Sequence, residues 1–193
     1  FTADFENPVN GDPRTVRTNL RKATALLEEA GWGIVDGKLT NNETGEKLTV
    51  EFLLVSPTFE RVVLPYKQSL KRLGIDSTIR VVDTSQYQAR VDTFDYDMIV
   101  NSFSQSLSPG NEQRDFWGSA SADREGSRNR IGIKNPAVDE LIEKIIFAPD
   151  RETLIAASRA LDRVLLWNHY VVPQWWYEEG AAAKAAANAQ AGE

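Results

Sequence analysis

The stretch that decides the fold runs from Leu48-Thr-Val-Glu-Phe-Leu-Leu-Val55, through Val63, Tyr66 and Leu70, to Ile75-Asp-Ser-Thr-Ile-Arg-Val-Val82. Leu48, Val50, Phe52 and Leu54 alternate with Thr49 and Glu51, the two-residue period of a strand. Val63, Tyr66, Leu70 and Leu73 then recur at helical spacing, and Gly74 closes the run. Pro57 precedes this helix and Pro65 falls in its first turns, which leaves its start open. Residues 75–82 predict a second strand, 84–91 a short helix and 96–103 a third strand. Strands at 48–55, 75–82 and 96–103, alternating with helices, predict βαβ units. The fold class that follows is α/β, with a central, mostly parallel sheet flanked by helices.

On the amino-terminal side, Leu20, Ala23, Leu27 and Ala30 predict a helix over 19–30. Thr18 or Asn19 would cap it and Gly31 would close it. Residues 1–17, with Asn10-Gly11 and Asp12-Pro13, read as a loop, with Phe1 and Phe5 as anchors. Asp36-Gly37, between 32–35 and 38–40, predicts a hairpin. On the carboxyl side, residues 104–135 lose all periodicity. A stretch of that kind in a compact domain is usually functional or disordered. Asn135-Pro136 then opens a helix over 137–147, and Leu154, Ser158, Leu161 and Leu165 predict another over 151–168. An extended segment follows, towards Trp175-Trp176-Tyr177, and 178–193 form an Ala-rich tail of no assigned role.

Composition narrows the function. Lys plus Arg total 22 against 28 for Asp plus Glu, a net charge of −6. That balance speaks against nucleic acid as a partner, which needs clustered cations. There is no cysteine and one histidine, His169. Thiol chemistry, zinc–thiolate sites and multi-histidine metal sites are therefore excluded within this chain. His169, near a helix end, reads as structural. Adjacent acids such as Glu28-Glu29 do not face each other on a helix and make poor acid–base pairs. Neither the G-x-x-x-x-G-K-[ST] nor the G-x-G-x-x-G pattern occurs. The reading is a protein that is not an enzyme and takes no cofactor or metal.

Two segments carry binding chemistry. Ser106-Leu-Ser-Pro-Gly-Asn-Glu-Gln-Arg-Asp-Phe-Trp-Gly118 follows the third strand, and ligands of open α/β sheets bind beyond strand carboxyl ends. It combines Glu112 and Arg114 with the rings of Phe116 and Trp117, the mixture a binding cleft uses. In the second, Gly126-Ser-Arg-Asn-Arg-Ile-Gly132, Arg128 could fork onto an anion and Asn129 could bond a peptide backbone. The blander readings are a loop whose rings plug the core and a turn with solvated arginines. Arg114, Trp117 and Arg128 are expected to border the cleft, with Phe103 and Ser104 near its floor and Gln105 beside them.

Several of these pieces, in order, resemble the extracellular solute-binding proteins of family 5, the oligopeptide- and dipeptide-binding components of ABC importers. They are Asn19-Leu-Arg-Lys-Ala-Thr-Ala-Leu-Leu-Glu-Glu-Ala-Gly-Trp32, Pro109-Gly-Asn-Glu-Gln-Arg-Asp-Phe-Trp117, Ser127-Arg-Asn-Arg-Ile-Gly132, Asn135-Pro-Ala-Val-Asp139 and Val172-Pro-Gln-Trp175. The Pro-Gly-Asn-Glu-Gln-Arg-Asp loop is most similar to the microcin-C and oligopeptide branch. The resemblance implies a class II periplasmic-binding-protein lobe over 1–177, the second of two lobes that close on a ligand. It also implies a peptide or peptide-like solute, a first lobe, an ABC permease in the inner membrane and a periplasmic or extracytoplasmic location. Many oligopeptide receptors place an Asp just after the third strand to pair with the ligand's free amino group. Here Asn101-Ser-Phe-Ser-Gln-Ser-Leu107 has no acid, which favours a blocked, modified or non-peptide ligand. The competing readings are a structural or partner-binding lobe and a hydrolase lobe.

Overall fold

Strand β3 (Thr49–Leu54) lies at the centre of a three-stranded parallel sheet, with β4 (Asp76–Val81) on one side and β5 (Met98–Ile99) on the other. The computed structural model describes residues 5–9, 11–104, 106 and 108–173. The three segments expected to share a sheet do so. The third pairs only at Phe52↔Met98 and Leu53↔Ile99. Asp97 explains its short start: its carboxylate accepts the Glu51 N–H at 2.8 Å, where a backbone carbonyl would continue the ladder.

Helix α2 (Glu60–Arg72) links β3 to β4, and α3 (Thr84–Asp92) links β4 to β5. The two crossovers leave in opposite directions, so their right-handedness puts the helices on opposite faces. The side chains agree. Phe52 and Leu54 pack with Val63, Leu70 and Ile75 on the α2 face. Leu53, on the other face, is wholly buried, and Glu51 on that face pairs with Arg90 of α3 at 2.8 Å. Leu53 breaks the apolar–polar alternation because this end of β3 is covered on both sides.

The hairpin of β1 (Trp32–Val35) and β2 (Lys38–Asn41) turns at Asp36 and Gly37, both with positive φ. It docks where α2 ends: the Leu39 N–H donates to the Gly74 carbonyl at 2.8 Å. Gly74 has φ +79°, and an added Cβ would lie 2.8 Å from the Leu39 nitrogen, so glycine is needed twice over.

Helix α1 (Pro13–Glu29) starts six residues before the expected Asn19. Asp12, rather than Thr18 or Asn19, caps it, accepting from the Arg14 and Thr15 N–H groups, while Thr15 bonds back to the Asp12 N–H. Asp-Pro suits a turn or a cap followed by a first-turn proline; the missing amide costs nothing there. The apolar stripe is thin before Leu20, which hid the first turns. Gly31 closes the helix with φ +83°, as expected. Phe5 is an anchor: its ring lies 5.7 Å from those of Trp167 and His169. Phe1, Trp175, Trp176, Tyr177 and the 178–193 tail lie outside the described residues.

The irregular stretch 104–135 holds more structure than its composition suggests. It contains α4 (Glu112–Trp117) and a short 3-10 turn at Ser119–Ser121. Helices α5 (Pro136–Ile146) and α6 (Arg151–Trp167) follow, capped by Asn135 and Asp150. Val138, Ile142 and Ile145 meet Ala157 and Leu161 in a second core, which also takes in Phe116, Trp117 and Ile133. The described residues thus form two hydrophobic centres, one on the α2 face of the sheet and one under the loop.

Candidate functional site

The order β4-β3-β5 creates a topological switch point. The chain leaves β3 for one side, then returns to the other, so the connections after β3 and β5 diverge. In open α/β sheets ligands bind beyond the strand carboxyl ends at such a point. Two segments leave the sheet at that edge, 56–59 after β3 and 101–104 after β5.

The first segment is a tight polar turn. Ser56 Oγ accepts the Thr58 N–H at 3.2 Å and donates to Thr58 Oγ1 at 3.0 Å, and Pro57 fixes the following turn. In the second, Asn101, Ser102 and Ser104 are exposed while Phe103 is half-buried. The Phe103 ring packs on Trp117 with centroids 4.5 Å apart and meets Phe116 edge-on at 5.7 Å. That anchor leaves the hydroxyls and amide of 101–104 facing solvent at the sheet's carboxyl edge. Gln105 lies outside the described residues.

Trp117 and Phe116 are deeply buried, at 7% and 3% exposure, and form the floor under Phe103. The Trp117 Nε1–H donates to Gln113 Oε1 at 3.0 Å. Gly118 follows because an added Cβ would lie 2.6 Å from the Arg114 carbonyl oxygen. Glu112 folds back on its own loop, accepting the Gly110 N–H at 2.9 Å. Burial pushes its carboxyl up, but the Gly110 N–H, its own N–H and the Gln113 amide together carry it below the ordinary range.

The arginines hold the loop's outer face. Arg114 forks onto Glu143 of α5 through Nε at 2.8 Å and Nη2 at 2.7 Å. Arg128 bonds Asp115 through Nε at 2.7 Å, and its guanidinium sits 4.1 Å from the Phe116 ring centre. Arg124 holds the other Asp115 oxygen. The Arg128 bond, opposed by burial and aided by both arginine charges, holds the Asp115 carboxyl below its ordinary range. Asn129 is fully buried. Its amide donates to the Gly118 and Ile133 carbonyls at 3.0 Å each, and its Oδ1 accepts the Ile133 N–H at 2.9 Å. Ser127 Oγ donates to the Ser121 carbonyl, and Ser121 Oγ to that of Gly118.

The structure therefore brings Phe103, Phe116, Trp117 and Arg128 together and joins Glu112, Arg114 and Asn129 to the same loop. Of the residues singled out in the sequence, Ser104 is exposed at the sheet's carboxyl edge. The turn at 56–58 was missed, since strand order decides which loops share an edge and no local pattern encodes it. The polar run Ser102, Ser104, Ser106, Ser108 was the available signal for the second flank. Among the described residues, no group of three or more His, Cys, Asp and Glu side chains could hold a metal ion.

Comparison with known proteins places this geometry. The model of bacterial extracellular solute-binding proteins, family 5 Middle, matches residues 2–125. "Probable peptide-binding protein YejA" of Agrobacterium fabrum is 54% identical over 179 residues, covering 93% of this chain and 29% of that protein. "Peptidoglycan-binding protein YepA" of the same organism is 43% identical, covering 83% and 26%. The chain thus spans under a third of the length of these relatives. The oligopeptide-binding protein AppA of Bacillus subtilis, solved with a nonapeptide, superposes with a TM-score of 0.70 at 22% identity, over 88% of this chain and 32% of that one. The fold is thus that of the class II periplasmic-binding proteins, and the chain belongs to the bacterial extracellular solute-binding proteins of family 5.

Proposed function

We propose that residues 1–177 form the second lobe of a bilobal receptor that closes on a peptide or peptide-like solute and hands it to an ABC permease, on the periplasmic side of the membrane. The observation that carries this reading is the switch point in the strand order, with the exposed hydroxyls and amide of 101–104 at its carboxyl edge, in a chain of this family. The names of the Agrobacterium relatives, peptide-binding and peptidoglycan-binding, support a solute with amide character. In this reading Ser104, Gln105 and the edge of Phe103 meet the ligand. Phe116, Trp117 and Asn129 hold that edge in place, and Glu112, Arg114 and Arg128 set the loop that borders it.

The flank contains no acid between Asn101 and Leu107. A ligand whose amino terminus is blocked or absent fits it better than a free peptide end, because a buried ammonium without a counter-charge is costly. Closure is a population shift driven by contacts on both lobes. Calorimetric titration of the intact receptor with a blocked and a free form of one peptide tests the reading. The blocked form should bind more tightly, and Ser104→Trp should abolish binding of both. Undiminished affinity in Ser104→Trp would remove this edge from the site. The isolated lobe should bind weakly; affinity equal to that of the intact receptor would refute the half-site assignment.

A further inference from the structure

The sheet elements and the loop of 104–135 are tied together just before β5. The Gly126 N–H donates to the carbonyl of Asp92, the last residue of α3, at 3.0 Å. The Tyr96 hydroxyl donates to the Arg130 carbonyl at 2.7 Å. Both bonds end in the 126–132 turn. A single tie acts as a pivot, and a second fixes an orientation. The first tie is backbone to backbone, whereas the second depends on one side chain.

Tyr96 also closes a circuit through the candidate site. From Tyr96 the chain runs along β5 to Phe103, whose ring lies 4.5 Å from that of Trp117. Gly118 comes next, and its carbonyl accepts the Asn129 amide at 3.0 Å. Arg130 follows Asn129, and its carbonyl takes the Tyr96 hydroxyl. The exposed hydroxyls of Ser102 and Ser104 stand on this circuit, one on each side of Phe103. The sheet alone fixes them weakly, because β5 pairs with β3 only at Met98 and Ile99. Tyr96 is half-buried. Burial pushes its hydroxyl up, against the pull of the Arg130 charge, so it remains a protonated donor at neutral pH.

We propose that Tyr96 is a positioning residue for the solute: its hydroxyl locks the 126–132 turn to the strand that leads into Ser102 and Ser104, and so fixes where those two hydroxyls stand. This rests on the solute-binding reading above. Tyr96 acts through Arg130 and Phe103 rather than by touching the ligand. Holding the two serines in place before the ligand arrives spares the ordering that binding would otherwise require. Phenylalanine at this position would keep the ring and lose only the bond to Arg130, which isolates the effect.

The test uses the intact receptor, with N-acetylated penta-alanine and its unblocked form as probes in calorimetry. Tyr96→Phe should weaken binding roughly three- to tenfold, the reach of one neutral hydrogen bond. Tyr66→Phe, the same change in the core on the α2 face, should leave affinity unchanged. So should Leu70→Ala, a core truncation near the end of α2 that lowers stability without touching the circuit. Without ligand, amide hydrogen exchange in Tyr96→Phe should speed up at 101–104 and 126–132 and stay as in the wild type at 49–54. A wild-type receptor that binds neither probe would overturn the solute-binding reading, and the proposal with it. If the wild type binds, an affinity of Tyr96→Phe within about twofold of it, or unchanged exchange at 101–104, overturns the role of Tyr96 and leaves that reading standing. An equal loss of affinity in Leu70→Ala overturns it too, because affinity would then follow stability alone.

Discussion

The sheet half and the loop half of this lobe reach the same end by different chemistry. From Trp32 to Val100, apolar side chains on regular elements do most of the work, and charge networks such as Glu51 with Arg80 and Arg90 sit at the periphery. From Phe103 to Tyr170, an apolar core of similar size lies under a loop with little regular structure, and polar side chains hold that loop in shape. Asn129 ties three backbone groups, Ser121 and Ser127 tie others, and Asp139 bonds both the N–H and the hydroxyl of Ser119. A regular element satisfies its own backbone; a loop at a ligand edge must borrow side chains to do so.

The largest effects should be equal in the two halves, because Leu53 and Leu161 are both buried, at 0% and 4% exposure. Leu53→Ala at the sheet centre and Leu161→Ala on α6 should each cost roughly 2–5 kcal/mol, the range for large-to-small core changes. Denaturant titration reads both. A much smaller loss at Leu161 would show that the loop half can collapse around a cavity and is the softer of the two.

Buried polar groups should then separate the halves. Asn129→Ala removes the partner of the Gly118 carbonyl and of the Ile133 carbonyl and N–H, and should cost about 1–3 kcal/mol or more. Ser77 on β4 is the counter-case: its hydroxyl oxygen is buried with no hydrogen-bond partner among the described residues. Ser77→Ala should change stability by no more than about 0.5 kcal/mol and in the stabilising direction if at all. Equal losses at the two positions would erase the distinction.

Acid should reach the loop half through Asp115. Its folded-state pKa lies below the unfolded value, so the stabilisation is present above the unfolded pKa and is lost as pH falls through the folded one. Stability should therefore decline below about pH 4, and the decline should be shallower in Asp115→Asn. The effect is the smallest expected, because Arg124 and Arg128 are both about half exposed or more. Parallel pH curves for the two proteins would contradict it.

The same contrast explains what could be read from the sequence. Val50, Phe52 and Leu54 carry a period of two and Val63 to Leu73 a helical one, so β3, α2 and β4 were legible almost to their boundaries, whereas the third strand, expected over 96–103, pairs only at Met98 and Ile99. The start of α1 was not, because Asp12-Pro13 serves turns and helix starts alike. In the loop half, Val138, Ile142 and Leu161 announced their helices, but α4 spans only Glu112–Trp117, too short for any period to show. Asn129 looked like a ligand group because its chemistry suits one; its three backbone bonds depend on how 118 and 133 come together, which spacing does not reveal. Phe103 and Ser104 were singled out because they end the expected third strand, whereas the turn at 56–58, which leaves the same edge, required the strand order.

The most direct test of the central claim is a crystal structure of the intact receptor closed on its solute. The account predicts ligand atoms within hydrogen-bond reach of Ser102 or Ser104 and of the 56–58 turn, with Trp117 still packed beneath Phe103. A ligand seated elsewhere on this lobe, with 101–104 and 56–58 both left in solvent, would contradict it.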